Sequence, residues 1–134
     1  MKVSRKGKYA LKLMMDLAEN DISEPVSLKD IAFRQEISEK YLEQVVSLLN
    51  KAGLVRSIRG PQGGYQLNRK PYDYKVGEIL RATEGSLDFG TEQEEDISEI
   101  LWKKMDEAVR GVVDTVTLED MVMWKEENAF NYSI

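Results

Sequence analysis

Cysteine and histidine are both absent from this chain of 134 residues. That removes disulfides, thiolate and imidazole metal ligands, Cys and His nucleophiles, and the commonest general base. Long apolar runs are missing as well, and no stretch approaches the roughly 20 residues a membrane helix needs. The basic N-terminus, MKVSRKGKYALKL, has neither the apolar core nor the small-residue cleavage site of a secretory signal, so a cytoplasmic address is expected. No internal repeat or low-complexity segment is present. Carboxylates remain, but they lie in polar stretches without a converging pair, a nucleophile or a cofactor loop. An enzyme is therefore the weakest functional class. The length suits one ordinary domain, or a small domain with an assembly element.

The net charge of −5 hides a split. Residues 1–70 carry 13 Lys/Arg against 8 Asp/Glu, and residues 71–134 carry 6 against 16. A basic half joined to an acidic half points to a nucleic-acid-binding end and another that keeps off it, with chance clustering as the alternative.

Apolar spacing predicts a first helix over 6–20, a loop over 21–26, and a short helix opened by Ser27 in the cap pattern SLKD and running to Gln35. After a tight turn, Ser38 caps the next helix, where Tyr41, Leu42, Val45, Val46, Leu48, Leu49 and Ala52 recur at helical spacing. Gly53 is placed to end it, with Leu54 folding back on its last turn. Two short helices with a few turn residues between them have helix-turn-helix proportions. Leu54, Val55 and Ile58, then Tyr65 and Leu67, read as two strands joined by Gly60-Pro61-Gln62-Gly63-Gly64. A further helix is expected over 76–83, ending near Gly85, followed by an acidic loop.

From 97 to 116 the set Ile97, Ile100, Leu101, Met105, Ala108, Val109, Val112, Val113 and Val116 alternates steps of three and four. This is a seam for a partner helix and points to a homodimer. The alternative is a helix laid on its own domain. Thr117 and Asp120 should cap a final short helix before a frayed polar tail. The expected fold class is mainly α with a small β-hairpin wing: a winged helix-turn-helix domain over 1–85, then an acidic loop, a long dimerisation helix and a tail over 86–134.

A helix-turn-helix reads bases with the first turns of its second helix. Here these turns carry Ser38, Lys40, Tyr41, Glu43 and Gln44. Gln44 suits adenine, Glu43 can accept from cytosine N4, and Lys40 suits guanine or phosphate. On composition alone a solvated face is the better explanation of them. The hairpin tips the balance, because 54–70 holds Arg56, Arg59, Arg69 and Lys70 with no acid. Arg59, beside Gly60, is placed to enter a narrow minor groove. The arm 2–12 adds five cations and no acid, and Lys2, Ser4, Arg5 and Lys8 are candidates for phosphate. Ser27, Gln62, Gly63 and Gly64 complete the candidate surface. The glycines do not form a nucleotide loop, since no Lys-Ser/Thr follows them.

The segments SRKGKYAL, SLKDIAFRQEISEKYLEQ, LNKAGLVRSIRGPQGGYQL and VGEILRATEG resemble the Rrf-two family of bacterial winged-helix regulators, as does VVDTVTLEDM more loosely. The resemblance implies a dimeric repressor or activator, with Tyr41, Glu43 and Gln44 in the recognition helix and Arg59 and Gly60 in the wing. Two departures stand out. The family's turn usually carries glycine where this chain has Glu36. The best-known members hold an iron–sulfur cluster through three cysteines in the segment matching 87–100, and this chain has none, so cluster sensing is excluded by ligand chemistry and no cofactor is expected.

A cysteine-free branch, the cysteine metabolism repressors, resembles this chain in its long helix and short aromatic tail and acts with cysteine synthase. The last residues, Tyr132, Ser133 and Ile134, look like the peptide with which serine acetyltransferases dock into that enzyme; an idle tail is the alternative. The expected function is thus a homodimeric, sequence-specific regulator of transcription, a repressor of sulfur or cysteine metabolism, binding double-stranded DNA and no membrane. The alternative is a winged-helix interaction module that does not bind DNA.

Overall fold

The structure, a computed structural model, describes residues 2–89 and 97–132, the last three as backbone alone. Helix α1 (Arg5–Glu19) is capped by Ser4, α2 (Leu28–Gln35) by Ser27 and α3 (Glu39–Lys51) by Ser38. Each serine oxygen accepts the backbone N–H three residues on, at 3.5, 3.2 and 3.3 Å, satisfying donors that the first helical turn leaves unpaired. Helix α3 ends as expected. Gly53 has φ 75°, its N–H reaches the Asn50 carbonyl, and the Leu54 N–H reaches back to Leu49 at 3.0 Å. This Schellman closure needs the left-handed angle that glycine adopts at least cost.

Strands β1 (Val55–Ile58) and β2 (Gly64–Leu67) pair antiparallel, with Val55 opposite Leu67 and Ile58 opposite Gly64. A third element went unpredicted. Val26 bridges Tyr65 through hydrogen bonds of 2.8 and 2.9 Å, so the loop before α2 braces the hairpin. A 3-10 turn at Pro71–Asp73 leads into α4 (Val76–Glu84).

The main core takes one face from each of α1 and α3. Leu42, Val45, Val46 and Leu49 are all buried, the i, i+3, i+4, i+7 stripe that the sequence shows. Tyr74 is fully buried among them. Its hydroxyl donates to the Leu54 carbonyl (2.7 Å) and accepts from the N–H groups of Asn68 (2.8 Å) and Arg69 (3.0 Å). One side chain thus ties both ends of the hairpin to the helices.

Two expectations about the C-terminal part are corrected. The long helix, α5 (Ser98–Val113), stops before Val116. Thr115 turns its hydroxyl onto the Gly111 carbonyl at 2.6 Å, and the Val116 carbonyl accepts the Val76 N–H at 2.9 Å, so the chain leaves the helix to pair with the start of α4. The final helix is not short, for α6 spans Leu118–Tyr132. Its box is the expected one: Thr117 N–H donates to Asp120 (2.9 Å) and Asp120 N–H to the Thr117 hydroxyl (3.0 Å). The Glu, Met, Lys and Ala residues that follow are strong helix formers, and polarity without a stop signal lets the helix run on. Leu118 is buried in the main core, and Lys125 pairs with Glu19 of α1 at 2.9 Å.

Candidate nucleic-acid interface

The face of α3 opposite its buried stripe is open. Lys40, Glu43, Gln44, Ser47 and Lys51 are exposed, side by side along the helix. Ser38 is exposed too, although its oxygen is engaged in the cap. Tyr41 is half-buried and stands edge-on to Tyr9, with ring centroids 5.3 Å apart and planes at 84°; Lys12 lies 5.5 Å from the Tyr9 centroid. Tyr9 had no role in the sequence reading. Its spacing of three from Lys12, inside the basic arm, was the available signal.

Arg5, Tyr9, Glu36, Ile37, Ser38 and Tyr41 line one groove of about 370 Å³. The start of α1 and the start of α3 therefore share an opening, which brings Arg5 to the recognition helix. Glu36 occupies the turn at φ 55°, ψ 44°, the one non-glycine with positive φ among the described residues. An L-residue there is disfavoured by contact of its Cβ with the next carbonyl.

Lys2, Arg5 and Lys8 are exposed on the arm. Ser4 faces inward instead: its N–H and its hydroxyl both donate to the Glu84 carboxylate, at 3.0 and 2.5 Å. Ser27 is half-buried and committed to its cap. In the wing, Arg59 and Gln62 are exposed, and Gly60 has φ 113°. Gly63 and Gly64 answer to close approach within the chain. A Cβ on Gly63 would strike the Ile58 carbonyl oxygen, and one on Gly64 the Val26 carbonyl. Arg56 sits at the wing's root, its Nε donating to Gln66 (3.2 Å), whose amide donates to the Ser23 carbonyl (2.6 Å).

Beneath this surface, Asp16 is buried at the junction of α1 and α2. It accepts from Arg34 (2.7 and 3.1 Å), Gln35 (3.0 Å) and Asn20 (3.1 Å). Burial pushes its carboxyl up, but the hydrogen bonds from Arg34, Gln35 and Asn20 outweigh it and hold the group below the usual carboxylate range. This network ties α2 to α1 across 18 and 19 positions, a separation that periodicity does not reveal.

Of the nine seam residues, Val113 is buried, while Val109 and Val116 pack against Val76, Leu80 and Leu87 of the same chain. Ile97, Ile100, Leu101, Ala108 and Val112 are exposed and Met105 half-exposed. Tyr132 is described as backbone alone, and Ser133 and Ile134 lie outside the described residues.

A two-helix reading unit braced by a hairpin with a cationic tip defines a winged helix-turn-helix DNA-binding protein. The model of the Rrf2 family, described as "Iron-dependent Transcriptional regulator", matches residues 3–123. The chain belongs to that family and is a DNA-binding regulator of transcription. It is 43% identical to the HTH-type transcriptional regulator CymR of Bacillus subtilis, over the whole of both chains. It is 38% identical to the regulator IscR of Klebsiella pneumoniae, covering 91% of this chain and 80% of the relative. Among solved structures, that of CymR, "the Global Cysteine Regulator of B. subtilis", superposes with TM-score 0.85 at 42% identity, covering 92% and 98% of the two chains. T. potens IscR superposes with TM-score 0.81 at 48% identity, covering 96% and 90%. These relatives are named as regulators, not enzymes.

The iron of the family description does not fit this donor set. Iron–sulfur clusters take thiolates, with imidazole as the variant, and the chain has neither. Among the described residues no three carboxylates gather as a metal site. Likewise among them, no helix is long and apolar enough to cross a membrane.

Proposed function

We propose that this chain is a homodimeric, cluster-free repressor, acting in the cytoplasm, that reads two DNA half-sites about one helical turn, or a multiple, apart. Residues 1–85 carry the reading and 86–134 the assembly. The observation that carries this reading is the pairing of an open α3 face with Arg59, exposed at the wing tip and without an ion partner among the described residues. Lys40, Glu43 and Gln44 contact base edges, Arg59 enters the minor groove, and Lys2, Arg5 and Lys8 hold phosphates. Sulfur or cysteine metabolism is the regulated process, by likeness to the cysteine regulator. Cysteine synthase is the proposed partner, taking up the Tyr132-Ser133-Ile134 segment.

The test is a fluorescence-anisotropy titration with duplex DNA from the gene's own upstream region, at several salt concentrations, with and without cysteine synthase. Tight, salt-sensitive binding altered by the enzyme is the expected result. Replacing Arg59 by Ala should weaken binding and lower the salt slope by about one counterion. Normal operator binding by an Arg59→Ala/Gln44→Ala variant would overturn the assignment. Failure to bind any duplex after operator selection would favour the interaction-module reading.

A further inference from the structure

The base of the wing and the start of α6 meet at a cleft that neither the recognition helix nor the wing tip uses. It has two lobes, which share Ile22, Lys70 and Tyr72. One lobe, of about 240 Å³, is mostly apolar, with Ala18, Pro71 and Val122 completing its apolar walls and the Glu119 carboxylate as its acid among the lining residues. The other, of about 530 Å³, brings together Arg56, Arg69 and Lys70 with Asp73 as the one acid lining it. This is a local excess of positive charge on a chain whose net charge is −5.

The three cations differ in what they already do. Arg69 is committed: it lies 4.3 Å from the Tyr74 ring centroid, donates to the Asp73 carbonyl (3.0 Å) and pairs with Glu78 (3.2 Å). Arg56 uses only its Nε, on Gln66, and Lys70 stands 6.0 Å from the Tyr72 centroid. Neither has an acidic partner among the described residues. A guanidinium edge and an ammonium group beside an apolar floor suit a molecule with an anionic head and a short hydrocarbon body.

The cleft also has a mechanical position. Arg56 and Ser23 clasp Gln66 of β2 from two sides, and the backbone at Asn68 and Arg69 hangs on the Tyr74 hydroxyl. Glu119 and Val122 belong to α6. A molecule spanning the lobes touches the hairpin's base and the C-terminal helix at once, so a difference in fit between two wing positions would shift their populations.

We infer that this cleft binds a short amphipathic monoanion and that its occupancy alters DNA binding through the wing. The second clause rests on the DNA-binding reading above; the first does not. The probe is hexanoate, with hexanamide as its uncharged counterpart, added to the full chain while the methyl NMR signals of Ala18, Ile22 and Val122 are followed. Saturable shifts are expected below ~20 mM hexanoate, with hexanamide about tenfold weaker. Lys70→Gln should erase that preference, and Val122→Trp, which fills the apolar lobe, should abolish the shifts for both probes. Absence of saturable shifts, an equal response to hexanamide, or a preference unchanged in Lys70→Gln would overturn the site. Lys70 is a surface residue, so its variant keeps the test sound if Val122→Trp fails to fold. Anisotropy with operator DNA then reads the coupling. A change in affinity of threefold or more at saturating hexanoate, lost in Lys70→Gln, is expected; unchanged affinity would overturn the effector role. A wild-type chain that binds no duplex would instead sink the DNA-binding reading and leave the NMR result standing.

Discussion

Helices α3 and α5 carry the same kind of pattern and meet different fates. Both place apolar residues at steps of three and four. In α3 the stripe is complete within the chain, and Leu42, Val45 and Leu49 are wholly buried. Along the seam that α5 carries, the end nearest α4 is covered among the described residues through Val109 and Val113, while Ile100 is 55% exposed, Leu101 50%, and Ile97, just before the helix, 84%. Periodicity states that a helix has an apolar face. It does not state what covers that face. One helix buries its stripe in its own core and, under the function proposed above, offers its polar side to DNA. The other keeps half of its stripe for a second copy, under the function proposed here.

Substitutions in the two stripes should therefore separate. Leu42→Ala removes a side chain from a filled core and is expected to cost about 3–4 kcal/mol of unfolding free energy, measured by urea titration. A loss below ~1 kcal/mol would mean that the α3 stripe is no better covered than that of α5.

Asp16 tests the same reading half by pH. Its carboxyl is held low when folded, so its contribution is fully present above the unfolded value and is lost as pH falls through the lower folded value. Asp16→Asn should cost about 1–3 kcal/mol at neutral pH and flatten the acid limb of the stability profile. An acid limb identical to wild type would remove Asp16 as its cause.

Leu101→Ala should leave the monomer's unfolding nearly unchanged and weaken self-association by about tenfold, roughly 1.4 kcal/mol, in sedimentation-equilibrium runs. Unchanged association would move the dimer contact elsewhere, with the exposed Trp102, Met123 and Trp124 next in line. The smallest effect is a gain. Glu36→Gly relieves a left-handed residue and is expected to raise stability by about 1 kcal/mol, read as a higher urea midpoint with the slope unchanged.

Much of this architecture was legible beforehand because its signals are local. The Ser27 and Ser38 caps, the glycine stop at Gly53 and the Thr117–Asp120 box each depend on a few neighbouring residues. The exposed candidates Lys40, Glu43, Gln44 and Arg59 followed from the same helix and turn placement. Val116 fits the helical period yet is claimed by Val76 from 40 positions earlier, so the period alone carries α5 too far. The polar residues after Asp120 resemble a frayed tail, but polarity without a stop signal lets α6 run to Tyr132. Ser4 has the place of a phosphate ligand in the basic arm, but Glu84, 80 positions away, holds its hydroxyl.

The sequence by itself determined where the helices begin, the caps at Ser27, Ser38 and Thr117, the hairpin, the absence of thiolate chemistry and which face of α3 is polar, since each follows from a residue's own chemistry or that of its near neighbours. Only the tertiary structure decided which stripe is covered, that Val26 braces the wing, that Tyr74 anchors its two ends, that Asp16 ties α2 to α1, and that Arg5 joins Tyr41 at one groove. Those outcomes depend on pairs far apart in the chain, which meet only when burial of the common core outweighs the entropy of bringing them together.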